Sequence, residues 1–109
     1  MIVKDIIEKC SLKIHNVADT EKEITGVYVG DLLSWVMGHG EEGQCLVTIM
    51  SNVNVLAVAS LLDMSCVILA ENVQPDEVFL SIAKDKCINV LSSKESAYTT
   101  CTNLYEALK

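Results

Sequence analysis

The chain has 109 residues, half of them hydrophobic and 21% charged, which is too apolar for disorder and enough for one self-supporting domain over residues 1–109. Fifteen acidic residues against eight lysines give a formal charge of −7, which repels phosphate backbones and anionic lipid, so neither nucleic acid nor membrane is an expected partner. No apolar run reaches the roughly 18 residues of a membrane span, and five cysteines without CxxC spacing point to buried free thiols in a reducing, cytoplasmic setting rather than to a disulfide or metal framework.

In chain order, the opening segment places Val3, Ile6, Ile7 and Cys10 on one helical face with Lys4, Asp5, Glu8 and Lys9 opposite. Leu12 to Val17 alternates apolar and polar residues, and after the charged break Asp19 to Glu23 comes a second strand-like run, Ile24 to Val29. Asp31 is placed to cap a short helix through Leu32, Leu33, Trp35, Val36 and Met37, with Gly38 supplying a left-handed end and a polar loop running to Gly43.

The stretch from Cys45 to Ala70 carries the clearest pattern. Cys45 to Met50 and Cys66 to Ala70 are short, apolar throughout and rich in β-branched residues, as parallel strands covered on both faces require. Between them, Ser51 or Asn52 caps a helix whose Val53, Val55, Leu56, Ala57, Val58, Ala59, Leu61 and Leu62 surround most of its circumference. A sheet accounts for one apolar face, so a partner subunit is expected over the other, with Val53, Val55, Leu56, Val58 and Leu62 as the dimer interface.

Pro75 fits the first position of the next helix, with Asp76 and Glu77 in its first turn and Val78, Phe79, Ile82 and Ala83 as its stripe. Ile88 to Leu91 reads as a strand, and Ser92 with Glu95 has the spacing of a capping box for a last helix with stripe Ala97, Tyr98, Cys101, Leu104, Tyr105 and Leu108. Cys45, Cys66 and Cys87 stand 21 residues apart, the stride of successive βα units with right-handed crossovers. The predicted fold is α/β, a single-domain three-layer sandwich with a mainly parallel sheet.

Chemical machinery is sparse. Gly38-His39-Gly40-Glu41-Glu42-Gly43 matches G-x-G-x-x-G in letter, yet it follows a helix and precedes a strand, the reverse of a dinucleotide site, and two glutamates oppose a pyrophosphate. His15 and His39 lack a partner at metal-ligand spacing, and a small enzyme built on His39 has no nucleophile or second base beside it. No catalytic residue, metal or cofactor is expected. Because ligands of open parallel sheets gather beyond the strands' carboxyl ends, Ser51, Asn52, Asn54, Glu71, Asn72, Ser92, Ser93 and Lys94 are the candidate ligand-binding residues, for a nucleotide or other anion.

With these residues laid out, the chain resembles a DRTGG domain over nearly its whole length, through ITGVYVGDLLSWVMGHGEEGQCLVTI, NVNVLAVASLLDMSCVILAENVQPDE and INVLSSKESAYTTCTNLYEALK. The last two segments are also similar to the N-terminal, non-catalytic domain of HPr kinase/phosphorylase and to the corresponding part of long phosphotransacetylases. The resemblance implies an α/β sandwich that accompanies CBS or enzyme domains, or stands alone, as a regulatory or dimer-forming module. Ile24-Thr25-Gly26-Val27 lacks the second glycine of the name-giving motif, and the kinase's phosphate-binding loop is absent. The expected function is therefore a non-catalytic regulatory and dimerisation module, with effector binding as the alternative. Its expected partners are a second copy, a small-molecule effector or another protein.

Overall fold

The computed structural model describes residues 1–109. In chain order it contains α1 (Val3–Lys9), β1 (Lys13–Asn16), β2 (Gly26–Val29), α2 (Leu33–His39), β3 (Gln44–Thr48), α3 (Val53–Leu61), β4 (Cys66–Leu69), α4 (Glu77–Asp85), β5 (Val90–Ser92) and α5 (Ala97–Leu108). The strands form one sheet in the order β1-β5-β4-β3-β2, parallel except for β1, which runs antiparallel to β5 at one edge.

Side-chain alternation along the strands builds two cores. Cys45, Val47, Cys66, Ile68 and Leu91 face α1 and α5 and pack with Val3, Ile6 and Leu104. Leu46, Val67, Leu69 and Val90 face α2, α3 and α4 and pack with Val36, Leu56, Phe79 and Ala83. The crossovers from β2 to β5 all step the same way across the sheet, which puts their three helices on one face, as right-handed connections demand. The expected three-layer, mainly parallel sandwich is the observed one.

The position of α3 corrects one expectation. It is the middle helix of a three-helix layer, so α2 and α4 cover its flanks while the sheet covers its base. Val55 and Leu56 have no exposed surface, and Val58 and Ala59 are buried with them. Of the five residues expected at a dimer interface, Val55, Leu56 and Val58 belong to the chain's own core and Leu62 is half-buried. Val53 remains open, as does Leu61 at 73% exposure.

Several boundaries also differ. Asp31 does not cap α2; its Oδ1 accepts from the Thr48 hydroxyl (2.7 Å) and the Ile49 amide (2.9 Å), tying the end of β2 to the end of β3. Gly38 lies inside α2, and the left-handed glycine is Gly43 (φ +84°), where a Cβ would stand 2.6 Å from Thr25 Cγ2. Pro75 precedes the cap of α4, which is Asp76 accepting from the Phe79 amide (2.8 Å). Ser96 rather than Ser92 caps α5, and Val78, Tyr98 and Tyr105 point outward from their helices. The 21-residue stride holds for Cys45 and Cys66, which are register partners, but Cys87 lies exposed in a turn before β5.

A belt of non-regular chain, residues 17–25, joins the two edges of the sheet across the strands' amino ends. Asn89 receives hydrogen bonds from the Ala18 and Asp19 amides (2.8 and 3.0 Å) and donates to the Asp19 and Ser65 carbonyls (2.8 and 3.0 Å). Further along, the Ser65 hydroxyl bonds the Glu23 and Gly43 carbonyls. These contacts leave no buried side-chain nitrogen or oxygen of Asn89 or Ser65 without a partner, where an unmet one is costly.

Candidate functional site

The eight polar residues expected to meet at the strand ends do not form one site. Asn52 caps α3 by accepting from the Asn54 amide (2.9 Å), and with Ser51 and Asn54 it stays at the end of β3. Ser92 turns away toward β1, where its hydroxyl bonds His15 Nε2 (2.8 Å). Burial, aided by the nearby Lys13 charge, lowers the pKa of His15 from 6.5 and keeps the imidazole neutral to lower pH.

The connections leaving β4 and β5 go to opposite faces, which is where an open sheet would part and admit a ligand. Here the loops are stitched together. The Glu71 amide donates to the Glu95 carbonyl (2.8 Å) and the Asn72 amide to the Ser93 carbonyl (2.9 Å). The Glu71 carboxylate accepts from the Ala97 amide (2.9 Å), so the chain supplies its own anion to the start of α5. Glu71 and Asn72 take successive left-handed conformations (φ 60° and 59°) to make this turn.

Two openings remain, one on each side of α5. The first is a polar cleft of about 420 Å³ between the end of α1 (Lys9, Cys10, Ser11) and the β5–α5 loop (Ser93, Lys94, Glu95), closed by Asn103. Only Ser93 and Lys94 were among the sequence candidates. Neither lysine is in an ion pair, so two of the eight cations of an acidic chain face one small space. The second is an apolar groove of about 450 Å³ between β2 (Gly26, Val27, Val29) and the middle and end of α5 (Cys101, Tyr105, Leu108) with Lys109 after it. No sequence pattern links Lys9 to Asn103 or Val29 to Tyr105, because tertiary packing alone makes them neighbours.

Thiol chemistry is suppressed in both. Burial pushes up the Cys10 thiol, with the Cys45 charge adding to it and Lys9 opposing, and burial alone does the same for Cys101. The Cys66 thiol is pushed well up, first by its hydrogen bond with Cys45 and then by burial. His39 stacks on Trp35 with ring centroids 4.0 Å apart, and its Nδ1 bonds the Trp35 carbonyl (2.9 Å), away from any nucleophile. No group of three or more His, Cys, Asp or Glu side chains is arranged to hold a metal, and no helix is long and apolar enough to cross a membrane. The two openings differ in lining: charge and hydroxyls on one side of α5, apolar surface on the other.

A family model of the DRTGG domain matches residues 5–107. The chain belongs to the DRTGG domain family. Among solved structures, this DRTGG domain is similar to the crystal structure of the CBS and DRTGG domains of the regulatory region of Clostridium perfringens pyrophosphatase, complexed with its activator, diadenosine tetraphosphate. The TM-score is 0.75 at 15% identity, over 97% of this chain and 46% of that one, so the likeness is one of fold and this chain spans about half of its length. A search of the curated proteins finds no match. Family membership makes the chain a non-catalytic domain of regulatory type, in agreement with the sequence reading.

Proposed function

We propose that this DRTGG domain is a cytoplasmic regulatory module that works as a homodimer. The observation that supports self-association is the distribution of exposed apolar side chains. Val29 and Tyr105 line the groove beside β2, and Leu32 and Trp35 follow β2 at the start of α2, each of the four more than half exposed. This moves the dimer face from α3, whose inner residues are core, to the β2 side. Mass measurement in solution across the micromolar range tests it. A concentration-dependent dimer is expected, and a strict monomer removes the reading.

A second reading, effector binding, is favoured by the polar cleft. Lys9 and Lys94 suit a nucleotide or another small anion, and the similar fold in the pyrophosphatase regulatory region belongs to a protein crystallised with a nucleotide activator. A thermal-shift series with adenine nucleotides and acyl phosphates tests this, since a ligand at 100 times its Kd adds about 2.7 kcal/mol. The shift should vanish in the Lys9→Ala/Lys94→Ala variant. No shift in the wild-type chain would reject that ligand class.

A further inference from the structure

Within the self-association reading, we propose that β2 pairs antiparallel with β2 of a second copy, joining two five-stranded sheets across a two-fold axis. An edge strand leaves alternate N–H and C=O groups unpaired, and only another extended strand satisfies them in register. Of the two edges of this sheet, β1 is guarded by a register shift between Ile14 and Asn16 and by Lys13. The β2 edge, though as short as β1, has neither bulge nor charge: from Ile24 to Gly30 there is no charged residue and no proline, and its pairing with β3 is regular over all four residues.

The occupant follows from symmetry and charge. A two-fold perpendicular to the sheet keeps both α5 helices on one face, so the two grooves merge into a trough walled by Val27, Val29, Tyr105 and Leu108 of each copy. No acid is among the residues lining the groove, and the nearby Glu106 carboxylate on α5 is matched by Lys109 (3.7 Å), which limits repulsion between two chains of charge −7. Antiparallel pairing also sets the amino end of one β2, where Lys109 lies by Gly26, against the carboxyl end of the other, which leads into exposed Asp31. A stable dimer takes about 800 Å² from each partner, roughly one-seventh of the chain's 5872 Å². Four residues of strand do not reach that, and the outer side of α5 has to join them.

Sedimentation velocity over a micromolar series, combined with amide hydrogen exchange of the wild-type chain, tests the pairing. Protection of the Val27–Val29 amides should rise with concentration, and Val29→Lys should weaken the dimer about tenfold or more, while Leu61→Lys on α3 leaves it unchanged. A dimer that tolerates Val29→Lys, or whose β2 amides exchange as in the monomer, overturns the strand pairing and leaves self-association standing. A chain that stays monomeric overturns both. Protection of β2 only when a different polypeptide is added overturns the second copy as the occupant.

Discussion

The two edges of the sheet solve one physical problem in different ways. At β1 the exposed backbone is protected by a bulge, a lysine and a turn knotted to the core through Asn89, whereas at β2 the strand is regular, uncharged and flanked by a groove. Blunted edges stay alone and unblunted ones invite a strand. The difference shows that both edge strands are tied to the sheet by polar contacts, Asn89 on one side and Asp31 on the other, while only the β1 edge is itself irregular and charged.

The largest effect is expected where the polar network is densest. Asn89→Ala removes four hydrogen bonds from a residue 3% exposed, and urea unfolding should register a loss of about 3 kcal/mol. A loss well under 1 kcal/mol would show that the β1 side does not depend on this network. On the other side, Gly43→Ala combines a positive φ with a clash against Thr25 and should cost about 2 kcal/mol. Adding Thr25→Ala should recover the steric part and leave the backbone part, which a double-mutant cycle separates.

A smaller effect is confined to acid. The folded chain holds the His15 pKa below 6.5, so as pH falls through 6.5 toward the folded value the unfolded chain takes up the proton first and stability declines. His15→Gln, which keeps a side chain able to reach Ser92, should flatten that decline in melts recorded from pH 7 to pH 5. The smallest effect sharpens the contrast: under dilute, monomeric conditions, Val29→Lys and Ile14→Lys should each change unfolding by only about 0.5 kcal/mol, since both positions are half exposed. Only the former should alter association.

The inner strands were legible because a parallel strand buried on both faces leaves an unbroken apolar run, as CLVT and CVIL do. The same logic assigned to a partner subunit side chains of α3 that the chain's own core buries. An all-round apolar helix such as α3 reads identically whether a partner subunit or two sister helices cover its flanks, and the sequence carries no term for neighbours within a layer. Capping sites were ambiguous for a related reason: Asp31, Ser92 and Ser96 all have the right chemistry, and only the path of the chain directs the first to Thr48, the second to His15 and the third to Thr99. Of the candidate ligand residues, Ser93 and Lys94 reached an opening, because the strand-end rule places loops correctly without saying which loops close on each other. Lys9 and Asn103 left no local signal at all.

The last helix forms the wall between two rooms. Asn103 faces the charged one, Cys101 and Tyr105 face the greasy one, and the Glu71 carboxylate pins the rod at its first amide. A helix is about 10 Å across, so the two chambers share a single partition, and a shift of that one rod reshapes both at once.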